Sequence, residues 1–401
     1  ISTLTGRATM AAIAPFSFAC ATNLWPSKLG PCNAKNTSPS HSVRVSVFIF
    51  FTFFLPNCSD QQRSGLRSLP TALGSPTQTL LVVDNDFDGT VVGDSILFNF
   101  QAAYPLLPAP EPMLDLTVLK FDDFFGMKQQ WRNIIFIANL DEPSAIVDFI
   151  ENTIGEEAVQ NAKDNPDFNY AAQNDRWAKN QQVGFIFAHG EQQLADAISQ
   201  RAEKIIEKVY ESDKQMIKAT TYSMGYNEGI NTRLREDILI DLKVPGDYRM
   251  ALDKDGYYWL RKETRKTDLG LLIRKLPYEG DLRVDEATIL KLRNDFGKKY
   301  ITSTGDSYMT VDMENLTPPV YYKKKEVNGN FTQEARGVWK MQNGFMGGAF
   351  ISYLIYHEPT QSLLFLDGFI YAPEEQNKRK YIQRLKMIMD SATFLGTSKI
   401  E

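Results

Sequence analysis

The chain has 401 residues, with 44 Lys and Arg against 49 Asp and Glu, a formal net charge of −5 and three cysteines. That length suits about two domains of roughly 150 residues, each able to bury a core. A net acidic chain lacks the clustered Lys and Arg that nucleic-acid phosphates demand, so no nucleic-acid partner is expected.

Residues 1–42 contain no acidic residue and drift through the Ser/Asn/Pro-rich "NAKNTSPSHS" without a period. Met10 is the sole methionine ahead of the first apolar run, so translation is expected to start at or near Val43, with 1–42 a non-native or untranslated extension. Residues 43–57 then read "VRVSVFIFFTFFLPN". From Val45 to Leu55 the run is apolar except for Ser46 and Thr52, short of the roughly 20 residues of a bilayer-crossing helix. One basic residue, an aromatic-rich core and a following cysteine have the layout of a lipoprotein signal peptide, with Cys58 lipidated as the new N-terminus. Asn57 departs from the small residue usual before such a cysteine; the alternative is a buried apolar strand or helix with an incidental cysteine. Processing at Cys58 removes Arg7, Lys28, Lys35 and Arg44 and no acid, which leaves the chain more acidic. It also removes Cys20 and Cys32, so neither an intrachain disulfide nor a cysteine-ligated metal is expected.

Residues 58–78 are polar and bear Gly, Pro and Ser without a pattern, which predicts a tether from lipid to fold. A first lobe, 79–225, opens with the buried strand "TLLVVD" and a helix in "GDSILFNFQAAY" entered at Gly93 or Asp94. "PLLPAPEP" must be an extended loop, since proline is incompatible with helix interiors. "LDLTVLKF" and "RNIIFIANL" predict strands, "DEPSAIVDFIENTIGEEAV" one helix capped near Asp141 or Ser144, and "RWAKNQQVGFIFA" a strand. Glu191 to Lys218 is a long helix with Leu194, Ile198, Ile205, Val209 and Met216 near helical spacing. A second lobe, 236–395, begins with "DILIDLKVP" at Asp237, then "GYYWLRKE", "LGLLIRKL" and the helix "DEATILKLRNDFGKKYI". The strands "EARGVWKM", "GAFISYLIYH" and "SLLFLDGFIYA" and a helix from Glu374 to Asp390 complete it. "YYKKKE" is basic with an acid beside it and predicts a solvated face.

The fold class is therefore α+β, two lobes of mixed strands and helices. "GFIFAHGEQQ" at Gly184 and "GFIYAPEEQN" at Gly368 resemble one strand-to-helix junction, which suggests a degenerate tandem duplication. Two consequences stay open: a ligand cleft between pseudo-symmetric lobes, or duplication for size alone.

"VVDNDFDGTVVGDS" carries the chemistry-bearing string. Asp86, Asp88, Gly89 and Thr90 spell DxDGT after an apolar strand, the opening motif of haloacid-dehalogenase-like phosphatases, in which the first Asp attacks phosphorus and the second protonates the leaving oxygen. Against a metal-dependent phosphatase, "IIFIANL" ends without a hydroxyl residue, and the later acidic stretches lack the spacing of a magnesium cluster. The same stretch scans as half a calcium loop with Asp84, Asp86 and Asp88 as ligands, but its twelfth position is Ser95, where a bidentate Glu is needed. His189 and His357 form no ligand pair or triad, and no cofactor is expected. "NGFMGGAF" forms a tight hairpin or bulge, or lines a ligand.

"LLVVDN", "LPAPEPMLDL", "WRNIIFI", "RGVWKMQNGFMGGAFISY" and "LDGFIYAPEEQNKRKYIQRLKMI" together resemble an uncharacterised domain-of-unknown-function family of Bacteroidetes lipoproteins. The resemblance runs from Leu69 to Ser391 and implies an envelope address without catalytic residues. Ser59 after Cys58 is compatible with transfer to the outer membrane. The expectation is a lipid-anchored cell-envelope protein, on the periplasmic or outer face of a Gram-negative envelope, acting as a binding or envelope-maintenance component with an envelope protein or small ligand as partner; the alternative is a metal-dependent phosphatase centred on Asp86 and Asp88.

Overall fold

Long, mostly buried apolar runs form the central strands in both halves of the chain, and each half builds its own sheet. A computed structural model describes residues 68–396 except 85, 106, 280–281 and 315–318, all within one compact unit. The expected extension, the signal peptide, Cys58 and the first part of the tether lie outside the described residues.

The first half contains β1 (Gln78–Val83), α1 (Val91–Phe100), β2 (Asp115–Lys120), β3 (Asn133–Asn139), α2 (Ala145–Ile154), α3 (Glu156–Asp164), β4 (Tyr170–Asn174), β5 (Gln182–Ala188) and α4 (Glu191–Thr221). The strands form one sheet in the order β2-β1-β3-β5-β4, parallel except for the antiparallel edge strand β4. Central parallel strands are covered on both faces, which is why β1 is apolar from Leu80 to Val83 and β3 from Ile134 to Ala138. Leu81, Ile135 and Ile186 meet Ile96 of α1 and Ile198 of α4 on one face. Leu80, Phe136 and Phe185 meet Ile146 and Ile150 of α2 and Val159 of α3 on the other.

The second half contains α5 (Glu228–Ile238), β6 (Ile240–Asp241), β7 (Arg249–Lys254), β8 (Tyr257–Glu263), β9 (Asp268–Pro277), α6 (Glu286–Tyr300), β10 (Thr302–Ser303) and β11 (Ser307–Val311). There follow β12 (Tyr321–Val327), β13 (Asn330–Gln342), β14 (Gly347–His357), β15 (Ser362–Tyr371), α7 (Arg379–Met389) and β16 (Thr393–Phe394). The large sheet runs β10-β11-β13-β14-β15-β9-β8-β7, with β12 also on β13, and every pairing is antiparallel. Leu271, Ile351 and Leu366 face Ile382 and Leu385 of α7, while Leu272, Phe350 and Phe365 face Ile289 and Phe296 of α6.

Mixed helices and strands are as the sequence predicts; several details differ. The two junctions that suggested duplication close unlike sheets: Gly184 lies in a strand parallel to β3, Gly368 in a strand antiparallel to both neighbours. Their likeness is thus local, a turn after a buried strand. The tether does not extend to Gln78: Ala72 N–H donates to Lys179 O (3.0 Å) and Leu73 N–H to Gln130 O (2.8 Å), so this segment joins the fold. The helix expected from "DEPSAIVDFIENTIGEEAV" is two helices, because Gly155 adopts a φ of 103° that ends the first. The "DILIDLKVP" segment is not a strand from Asp237; α5 runs through it and stops at left-handed Leu239, leaving only two residues for β6. "YYKKKE" keeps the solvated face expected of it, with Lys323, Lys324 and Glu326 exposed, on a strand, β12, paired along its length with β13.

Candidate functional site

The DxDGT loop leaves the carboxyl end of β1, where parallel sheets present their loops for chemistry. Asp86 and Asp88 are exposed, and Asp86 Oδ1 accepts the Asp88 N–H (3.2 Å) in a local turn. Thr90 caps α1 by accepting the Gly93 N–H (3.2 Å), and Gly93 is required there because a Cβ would sit 2.0 Å from Phe87 O. Asp84 turns away to the neighbouring helix: its Oδ2 accepts the Ile146 N–H (3.0 Å). It thereby supplies the cap of α2 that the sequence assigned to Asp141 or Ser144, since Ser144 makes no side-chain cap bond. Asp84 is thereby separated from Asp86 and Asp88, and among the described residues no group of three or more His, Cys, Asp or Glu could hold a metal. Asp141 instead holds His189, at 2.7 Å between Oδ1 and Nδ1.

The structure gathers its densest polar constellation elsewhere, where the two halves meet. The proline-rich segment after α1 clamps the second half. Tyr104 and Leu107 pack into the core beneath α7, and Glu111 caps that helix from outside, accepting from Lys378 N–H (2.5 Å) and Arg379 N–H (3.0 Å). Arg379, 1% exposed, reaches back into the first half. Its Nη2 donates to Thr77 Oγ1 and Asp115 Oδ2, both at 2.6 Å, and its Nη1 to Met113 O (3.0 Å). Beside it, Asp213 of α4 accepts the Thr77 N–H (2.6 Å) and lies 3.6 Å from Arg132 Nε. Burial pushes the Asp213 carboxyl up to about 6, against the pull of the Thr77 hydrogen bond and Arg132.

Along this seam α4 and α7 flank a groove with two chambers, of about 360 and 250 Å³, that share Ile217 and Gln383. Arg379, Lys380 and Arg384 surround the first with Asp115; Lys214, Lys323, Arg336 and Lys386 surround the second with Asp390. Most of these charges are committed. Lys386 and Lys325 share Asp390 (2.7 and 2.8 Å), Lys380 takes Glu375 (2.9 Å), and Arg336 takes the buried Glu334 (2.6 Å). Burial and the neighbouring Lys386 lower the Lys325 pKa, while for Asp390 burial is outweighed by Lys386 and Lys325, which hold its pKa low. Among the described residues no carboxylate pairs with Lys323 or Arg384, so two cations remain for an incoming charge. Tyr104, Tyr210 and Tyr321 add flat surfaces to the second chamber.

Composition gave no signal for this groove, because its cations come from four separate elements, α4, β12, β13 and α7, of an acidic chain. "YYKKKE" and "QNKRKYIQRLK" were the visible fragments of it.

Residues 227–391 match the family described as a domain of unknown function (DUF4837), and residues 72–221 match a second, DUF8532. The chain joins two domains of unknown function. This agrees with the resemblance to an uncharacterised family, and the groove lies where the two domains meet. No curated protein matches the chain. Among solved structures, one from Bacteroides thetaiotaomicron is similar at 9% identity and a TM-score of 0.22, covering 40% of this chain and 47% of its own, so the chain spans about half of that neighbour. The Saccharomyces cerevisiae Ran-binding protein Mog1p is similar at 13% identity and a TM-score of 0.27, covering 40% of this chain and 92% of that one.

Proposed function

We propose that this protein is a binding component of a bacterial cell envelope, held to the membrane by lipid on Cys58, and that the groove between its two domains takes an anionic ligand. The observation that carries the reading is the excess of cations around the groove in a chain of net charge −5, with Lys323 and Arg384 left without carboxylate partners among the described residues. Low-dielectric walls strengthen the field of such a cluster and raise the local concentration of anions. Amines, guanidinium groups, amides and phenols make a set suited to binding charge. The apolar run ahead of Cys58 and the polar stretch after it support the lipid anchor and an outer-membrane position.

Calorimetry with pyrophosphate and with polyglutamate tests the groove. Wild type should bind at least one of them, more weakly as salt rises from about 20 to about 200 mM, and Lys323→Glu with Arg384→Glu should weaken it by about tenfold or more. Binding that ignores both salt and these substitutions would remove the groove as the site. Fatty-acid labelling in cells, with Cys58→Ala as the control, tests the anchor separately; an unlabelled wild type defeats it.

A further inference from the structure

A further cavity lies toward the other end of β1 and β2 from the groove. Helix α1 does not sit squarely over β1 and β2. It is drawn toward α4, where Ser95 Oγ donates to Ala195 O (2.8 Å) and Asn99 Nδ2 to Ser199 Oγ (3.2 Å). That attachment leaves the same-face residues of the outermost strand uncovered: Val118 is 60% exposed, and Leu97, on the side of α1 above it, 54%. Between them opens a cavity of about 410 Å³ with a floor of Leu81, Val83 and Val118 and a wall of Phe87 and Ile96. Its rim carries Asp86, Asp88 and Asp94 against a single cation, Lys120, which is tied to Asp84 O (2.9 Å).

Strand β2 pairs with β1 alone, so among the described residues its outer edge has no strand partner. Such edges are usually blunted by charge, proline or a bulge, yet the middle of β2 presents Thr117 and Val118 to solvent. A free edge, an apolar hole beside it and an acidic rim are three parts of one recognition mode, in which an extended segment adds as a strand and sets a side chain into a pocket.

We infer that this face binds an extended peptide segment carrying a large apolar side chain two residues from a Lys or Arg, so that both project to the same face. The segment pairs with the edge of β2, the apolar side chain fills the cavity over Val118, and the basic residue meets Asp86, Asp88 and Asp94. The acidic DxDGT string then serves recognition of a cation.

The probe is a fluorescein-labelled peptide of about ten residues, alternating Thr and Val around a central Phe-Thr-Arg triplet that sets Phe and Arg on one face, with the Phe-Thr-Glu version as its match. Anisotropy with the full chain should show the Arg peptide binding about tenfold more tightly than the Glu peptide. Leu97→Arg and Val118→Arg, both at exposed positions and checked for an unchanged unfolding midpoint, should each abolish binding. Asp86→Asn with Asp88→Asn should erase the preference for Arg while leaving residual binding. Absence of binding, or binding that survives both arginine substitutions, overturns the inference. So does concentration-dependent self-association abolished by Val118→Arg without peptide binding, which would assign the edge to a second copy of the chain.

Discussion

The Glu111 carboxylate caps the helix that begins at Arg379, 268 positions further along the chain. It closes the N-terminus of α7, whose N-cap residue Lys378 makes no side-chain cap bond, and at the same stroke fastens one domain to the other. Glu111→Ala should orphan two backbone donors in a half-dry seam and cost about 1–3 kcal/mol. Urea unfolding should show the drop in midpoint; an unchanged midpoint would mean that the seam contributes nothing to stability.

Asp213 sets a pH dependence with an unusual sign. Its folded pKa is about 6 while an unfolded Asp titrates near 3.9, so between these values the folded state holds the extra proton. Its contribution to stability is therefore greatest below about pH 4 and falls as pH rises toward 6, by about 2–3 kcal/mol. Asp213→Asn removes this component: the difference in unfolding free energy between wild type and variant should slope over that window and be flat above pH 7.

Within the second domain, Arg293 and Asp367 are fully buried, with Arg293 Nε 3.1 Å from Asp367 Oδ1 and the guanidinium over the Phe350 ring at 4.0 Å. Burial raises the Asp367 pKa and lowers that of Arg293. Ser352 Oγ also donates to Asp367, while Arg293 Nη1 and Asp367 Oδ2 make no hydrogen bond. Asp367→Ala alone should cost roughly 3–5 kcal/mol by stranding a buried cation, and the triple change Arg293→Met, Ser352→Ala, Asp367→Leu should recover most of it. A triple variant no more stable than the single would show that the pair contributes net stability.

Gly348 answers the question posed by "NGFMGGAF". That string turns β13 into β14, and a Cβ on Gly348 would lie 1.9 Å from Ile370 O, the same oxygen that accepts the Trp339 Nε1–H (3.0 Å). Gly348→Ala should force the strands apart and cost about 1–3 kcal/mol, together with a change in Trp fluorescence. A variant with wild-type stability and emission would return the glycine to a ligand-lining role.

Legibility followed locality. The buried strands of "TLLVVD" and "NIIFIAN", the long helix from Glu191 and the strand runs of the second half were readable because apolar period is a property of neighbours in sequence. The break at Gly155 was missed because a single positive-φ residue ends a helix without altering its apolar pattern, and α5 was missed because its last residues, Asp237 and Ile238, open the apolar run "DILIDLKVP" that reads as a strand. Asp84, Asp86 and Asp88 looked like one constellation by spacing, yet backbone direction after β1 sent Asp84 to a different helix.

By itself, then, the sequence determined the α+β class, the acidic balance and the signal-like run before Cys58, all features summed over adjacent residues. Only the tertiary structure decided that the first sheet is parallel and the second antiparallel, because strand direction depends on crossover and not on strand composition. It alone brought Lys323, Arg384 and Gln383 to one groove and left Val118 at an open edge. Chain folding makes neighbours of residues hundreds of positions apart, and no local pattern encodes which cations will be left without a partner.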